Sequence, residues 1–253
     1  FNLDHIFKSG ASYSSLSSGL FACRLTPQGF LFDQKGSMVF LNKGLLENGA
    51  SLLNGRLVNK LLEFLCPTLD FNPGAILKIP VKSELLTNAE ISEISRKLTL
   101  NSKLDWDSSE TSWDFIRTPL LQYDASQYNL ESSFKIACLA WEKVTLETQK
   151  LEEQCNDIFI KAYDLKEHLS PQVPLDEITL SCNPRYRYGG NTVDHEINTR
   201  LQSETLSELV SYAIGCIMGR YSLDREGLVY ANSGNQGFAK LVAEGTYKTF
   251  SAD

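Results

Sequence analysis

From Glu131 to Leu169, small and apolar residues recur three and four positions apart. They are Phe134, Ala137, Trp141, Val144, Thr148, Leu151, Cys155, Ile158, Ala162, Leu165 and Leu169. Neither glycine nor proline interrupts the run, so the spacing predicts one continuous α-helix over 131–169, on the order of 55–60 Å long. A stripe this narrow packs along another helix, from the same chain or from a partner, in the manner of a coiled coil. Ser170-Pro171 ends it, because proline has no N–H to continue the ladder. Any fold of this chain is built around that rod.

The residues before it read differently. Leu20–Leu25 and Phe30–Phe32 are apolar runs flanking Thr26-Pro27-Gln28-Gly29, which predicts a hairpin across a type I turn. Ser37–Leu41 reads as a further strand. A helix is expected over Leu45–Leu65, with Leu53, Leu57, Leu61, Leu62 and Leu65 at helical spacing and Pro67 just past its end. Thr68–Val81 reads as extended, punctuated by Pro73-Gly74. The stretch 83–130 reads as a connector with a short helix over Asn88–Leu98. Its aromatic-rich part, Leu104–Leu121, is irregular, with Trp106 and Trp113 expected as core anchors.

Beyond the rod, Asn183–Gly190 is a basic-aromatic turn. A final helix is predicted over Glu196–Gly219, with Asp194-His195-Glu196 at its N-terminal cap and Leu206, Leu209, Val210, Ala213, Ile214 and Ile217 on its buried side. Partial order is expected over 232–253. The fold class is therefore α+β. A small mixed domain at 1–82 precedes the connector at 83–130 and a mainly helical domain at 131–253.

Charged residues make up 22 % and apolar residues 42 %, an ordinary globular balance. The net charge of −7 is unevenly spread: residues 1–82 carry eight Lys/Arg against five acids, leaving +3, and the remainder carries −10. A phosphate-facing surface needs local positive charge, not a basic whole. The longest apolar run, Leu209–Gly219, is too short to span a bilayer. The six cysteines show no C-x-x-C pair, as expected of buried thiols in a cytoplasmic protein. With no initiator methionine and no leader pattern, the chain reads as a fragment of a longer one.

Catalytic chemistry is hard to place. His5, His168 and His195 form no triad or metal cluster. Asn183-Pro184-Arg185-Tyr186 approaches the Asn-Pro-Pro-aromatic motif with which amino methyltransferases grip a flipped base, but misses it by one residue and is expected to be structural. No Gly-rich turn leads from a strand into a helix to make a cofactor pocket. The rival reading, a stand-alone methyltransferase using Asn183 and Tyr186, rests on that near-miss alone.

Binding is easier to place. Ala11–Gly19 is dense in hydroxyls that can reach phosphates or base edges. Ser12, Tyr13, Ser17 and Ser18 in that segment, with Lys8, Arg24, Lys35 and Ser37 around it, are candidate contacts to double-stranded DNA. Asn54, Arg56 and Lys60 follow on the predicted helix, with Arg56 and Lys60 four apart on one face.

Several stretches resemble one family in order. Ser17-Ser18-Gly19, Pro27–Asp33 and Lys35-Gly36-Ser37 look like the opening of recognition domains in adenine-specific DNA methyltransferases. Leu52–Asn59, Cys66–Gly74 and Ile79-Pro80-Val81 resemble the helix and segment that close them. Asp105–Ser108, Glu110–Phe115, the Asn183–Gly190 turn and Ser211–Leu228 are similar to the C-terminal half of the PglX-type methyltransferases of phage-growth-limitation and BREX defence systems. The resemblance covers about 1–235. It departs at Cys66, where asparagine is frequent, and at Asn72-Pro73-Gly74-Ala75, where Gln-Val-Gly-Asp is common.

The resemblance implies a DNA-sequence recognition module without catalytic residues of its own, for an enzyme that marks self DNA by N6-adenine methylation. The S-adenosylmethionine site and the complete catalytic motif are expected in a separate catalytic domain of the same protein, with no cofactor and no metal held here. Expected partners are double-stranded DNA, that catalytic domain and other subunits of the defence system, and not a membrane. The alternative is a helical interaction module that assembles a defence complex through the long helix.

Overall fold

Alternation of side chains across a strand sets the frame of the N-terminal half. In β1 (Gly10–Ser14), Ala11 and Tyr13 point inward and are buried, while Ser12 and Ser14 face outward. β1 pairs antiparallel with β2 (Cys23–Thr26) on one side and β3 (Gly36–Val39) on the other, giving the order β2-β1-β3. The register sets Ser12 opposite both Arg24 and Met38, and Tyr13 opposite Cys23 and Ser37. The computed structural model describes residues 3–42, 44–122, 129–189, 193–223, 225–229 and 238–245.

The expected hairpin does not form. β2 uses β1 as its neighbour, residues 30–32 are not a strand, and the Thr26–Gly29 turn is hooked by a bond from the Gly29 N–H to the Phe7 carbonyl. Gly29 sits there at φ 99°, a conformation that glycine adopts without strain.

The expected helix over 45–65 is two helices, α1 (Leu46–Asn54) and α2 (Arg56–Leu65), separated by an extended Gly55. A Cβ at Gly55 would sit 3.3 Å from Asn156 Oδ1, and that oxygen accepts the Arg56 N–H at 2.9 Å. An inserted side chain thus caps α2 at the break. The segment read as extended contains α3 (Pro73–Ile76), which Asn72 caps by accepting the Ala75 N–H. After α4 (Ser83–Leu86) comes α5 (Ala89–Asp107), which runs well past the expected end and takes in Trp106.

The rod is α6 (Leu130–Ala162). It stops seven residues before Leu169 because Asp164 adopts a left-handed φ of 56°. The Leu165 N–H bonds to the Ile160 carbonyl and the Asp164 N–H to Lys161, the Schellman pattern with aspartate where glycine is usual. The remaining helices are α7 (Pro184–Tyr188), α8 (Asp194–Ile217) and α9 (Phe238–Ala243). Most of the 232–253 tail lies outside the described residues.

The chain divides into two compact units, each discontinuous in sequence: 1–101 with 146–178, and 102–145 with 179–253. The first has a core of Ala11, Tyr13, Phe21 and Cys23 from the sheet side, Leu52, Leu57, Val58 and Leu62 from α1 and α2, and Leu151, Cys155 and Phe159 from α6. The second is centred on Phe115, Tyr212 and Tyr221, whose rings lie 5.1–5.9 Å apart.

Two burial expectations are corrected in that second unit. Trp106 and Trp113 are 59 % and 87 % exposed, not core anchors, since Phe115 takes the interior position of their segment. On α8, Val210, Ala213, Ile214 and Ile217 face outward, and Ile197, Leu201, Thr205, Tyr212 and Gly215 form the buried side. Gly215 decides this, because it leaves room for the Tyr221 ring to lie against the helix. The α8 start agrees with its acidic residues: Asp194 and Glu196 occupy the first turn, where the helix dipole favours them. All six cysteines are free; Cys138 and Cys216 are half-buried and the others buried.

Candidate nucleic-acid interface

The predicted contacts separate into three sets. The first is an outward surface on and beside the sheet. Ser12 and Arg24 lie on its outer face, and the Ser12 hydroxyl accepts from Thr26 Oγ1 at 2.8 Å. Lys8 is exposed just before β1. Lys35 is exposed at the entry to β3, held by a tight turn: Asp33 Oδ1 accepts the N–H groups of Lys35 and Gly36 at 2.7 and 2.5 Å. Those two donors keep the Asp33 carboxyl below its ordinary pKa. The buried Ser15 fastens the turn further through Gln34 and Lys35 carbonyls. Ser17 and Ser18 stand beside it, with Ser17 Oγ accepting the Gly19 N–H. Along a strand rising about 3.3 Å per residue, Lys8 and Lys35 are roughly 20 Å apart, a length of about six base-pair steps.

The second set is internal. Tyr13 and Ser37 are 5 % and 8 % exposed, a registered pair on the inner face of the sheet. Tyr13 packs on Phe21 at 5.1 Å, and burial raises its phenol pKa. Neither reaches a surface, so both leave the list of contacts to DNA. Asn54 is exposed, but its amide is engaged. Its side chain accepts the Cys23 N–H at 2.8 Å and donates to the Cys23 carbonyl at 3.1 Å. Asn59 does the same for Phe21, at 2.9 and 3.3 Å. β2 is an edge strand, and these two amides take the place of a missing neighbour at its first residue, Cys23, and at Phe21 two residues before it.

The third set lines a groove of about 730 Å³ between α2, α6 and residues 168–174. Arg56, Asn59 and Lys60 lie on its wall, with Leu20, Gln149, Glu153 and His168. The charge on Arg56 is largely spent: Nη2 meets Glu177 at 2.9 Å and Nε donates to the Gln172 carbonyl. Gln149 Nε2 donates to the Val173 carbonyl, and Glu153 accepts the Val173 N–H. Arg56 is therefore a clamp on the 170–178 strap. Lys60 pairs with Glu63 at 2.7 Å on the exposed side of α2.

Residues that sequence reasoning missed are Ser14 and Thr26, which alternation from Ser12 and Arg24 would have supplied, and the strap residues, for which the sequence holds no signal. In the second unit, Asn183 is 1 % exposed and its side chain accepts the Arg185 N–H, capping α7. The basic turn is neutralised: Arg187 bridges Glu204 and Glu208, and Arg185 meets Asp194. The near-miss to the catalytic motif is thus a helix cap.

No protein-family model matches the chain. It is 38 % identical over 255 residues to the adenine-specific methyltransferase BrxX of Escherichia coli O9:H4 (strain HS), covering 100 % of this chain and 20 % of the relative. It is 31 % identical over 232 residues to the adenine-specific methyltransferase PglX of Lacticaseibacillus casei (strain Zhang), covering 89 % of this chain and 18 % of that protein. The chain is homologous to a segment of the BrxX and PglX methyltransferases. It spans about a fifth of the length of these relatives.

Within this BrxX- and PglX-like segment, the motifs that carried the resemblance are joined in space. The Ser17-Ser18-Gly19 opening is bonded to the Cys66–Gly74 closing segment through Ser17 N–H to Leu69 O, and Phe71 N–H to Ser15 O lies beside it. Among the described residues, no helix is long and apolar enough to cross a membrane.

Proposed function

We propose that this chain is the DNA-reading part of an adenine-specific DNA methyltransferase, with residues 1–82 as its recognition lobe and α6 as a strut. The observation that carries the reading is the outward surface of the three-stranded sheet, where hydroxyls and cations stand on a rigid, closed scaffold. Cations there set register on the sugar-phosphate backbone, and the hydroxyls of Ser12, Ser14 and Ser17 reach base edges. Homology to proteins named adenine-specific methyltransferases supports the same reading.

Methylating an adenine amine requires the base to leave the stack and meet S-adenosylmethionine. In this reading that cofactor is held outside these residues, by the part of the polypeptide that carries the complete catalytic motif. Methyl transfer is therefore assigned to a catalytic domain elsewhere in the polypeptide, in the setting of bacterial defence against phage. The recognition lobe determines which adenine that domain meets.

Mapping methylated adenines in cells carrying the intact protein tests the proposal. Changing Ser12, Ser17 and Lys35 together to alanine is expected to erase or alter the methylated motif while the protein stays folded. An unaltered motif at unaltered occupancy refutes it.

A further inference from the structure

α8 carries two apolar sides. One is buried against Phe115 and Tyr221, as described. On the opposite side, Val210, Ile214, Ile217 and Met218 are between 51 and 73 % exposed. From Leu209 to Gly219 there is no charged residue. A helix that is apolar all round is a helix buried all round, and side chains at i, i+4, i+7 and i+8 form the ridge on which a second helix packs. Among the described residues nothing covers this ridge. Its N-terminal continuation on the same side is polar, with Glu196, Thr199 and Ser203, so the patch from Val210 to Met218 is confined to little more than two turns, roughly 12 Å. A shallow hollow of about 400 Å³ lined by Ser203, Leu206, Ser207 and Val210 opens at its start, room for the side chains of an opposing helix.

The size of the ridge identifies its occupant. Two free molecules associate stably when each buries about 800 Å², and a ridge of little more than two turns offers a fraction of that, so a second copy would hold weakly. A helix of the same polypeptide acts at millimolar effective concentration and needs far less area. The absence of charge turns away nucleic acid. The relatives are about five times the length of this chain, so covalently linked segments of that kind exist among them. We infer that the α8 ridge is covered by an apolar helix from a part of the polypeptide outside these 253 residues.

The test uses the intact protein with the photo-crosslinker p-benzoylphenylalanine placed at Ile217. A crosslink within one molecule to a peptide outside these residues is expected, mapped by mass spectrometry on the monomer. In a second arm, Ile214→Asp with Ile217→Asp is expected to speed amide hydrogen exchange across residues 206–218 at least tenfold, with exchange in the first unit unchanged. Crosslinks between isotopically heavy and light copies overturn the inference in favour of a dimer. Crosslinks within these residues, or an open reading frame with no further sequence, overturn it too. So does a failure to crosslink together with equal exchange in the two proteins.

Discussion

Replacing Asn54 with leucine separates a residue that reads DNA from one that holds the edge of the sheet. The Cys23 N–H and C=O lie at 2.8 and 3.1 Å from the Asn54 amide, and Cys23 is 1 % exposed. Leucine branches as asparagine does but bonds neither group: the Cys23 N–H loses its acceptor, while the Cys23 carbonyl keeps the Arg24 Nη1 donor at 3.0 Å. A fully buried group left unpaired costs about 1–3 kcal/mol. Asn54 itself is exposed, so water reaches part of the site and the total falls near 2 kcal/mol. For a chain of this size, that lowers Tm by about 4–8 °C. Asn59→Leu acts on Phe21 in the same way, and the double variant should lose less than the sum, since one freed residue already loosens the edge. Thermal unfolding followed by circular dichroism on the intact protein measures the loss, beside binding to duplex DNA. An unchanged Tm with weakened binding would refute the edge-pairing argument and return Asn54 to the DNA surface.

Three further expectations rest on single features. Burial pushes the Glu152 carboxyl up to about 7, with Glu177 adding to the rise and Arg24 and Arg56 opposing it. The folded state thus binds this proton more tightly than the unfolded chain, so the stability it contributes is complete below about 4.5 and is lost as pH rises through 7. Glu152→Gln should flatten that loss and be the more stable protein above pH 7, by up to on the order of 3 kcal/mol; urea midpoints that track the wild type at every pH would refute this. At Gly215 a Cβ would meet Tyr221 Cδ2 at 2.6 Å, so Gly215→Ala should cost about 1–3 kcal/mol and alter the near-ultraviolet dichroism of the tyrosine cluster, whereas an unaltered spectrum and Tm would show that the ring moves freely. Exchanging Lys8, Arg24 and Lys35 for glutamine should lower the slope of log K against log salt for duplex binding by at most about 2.7, and an unchanged slope takes the outer face of the sheet out of the DNA path.

Local signals in the sequence were read well where one pattern had one meaning. The three-and-four spacing of α6 placed the rod, and its stripe from Phe134 to Ala162 is buried or half-buried throughout. Its end is hidden in the sequence because Asp164 does the work usually done by glycine. On α8 the aliphatics were assigned inward, yet Tyr212 and Gly215 are the interior positions; counting apolar residues cannot distinguish two apolar sides. The hairpin was misplaced because turn chemistry at Pro27 and Gly29 is local and the choice of β1 as the neighbour of β2 is not. For the candidate site, outward alternation made Ser12 and Arg24 legible, and Asp33 with Lys35 formed a recognisable turn. The duties of Asn54, Arg56 and Tyr13 are not, since Asn54 is 31 positions from Cys23, Arg56 is 121 from Glu177 and Tyr13 is 24 from Ser37, pairings that enter only with the tertiary fold.

The interleaving of the two units has a consequence for synthesis. The first core is short of Leu151, Cys155 and Phe159 until the ribosome has released residues well past 146–178, and by then 102–145 is already outside. The amino-terminal lobe therefore waits, with α1 and α2 on its sheet but the α6 part of its core missing, through the translation of 102–145. Such a chain matures late and tolerates dissection poorly: a piece ending at residue 82 would carry the reading surface without the α6 residues that complete its core.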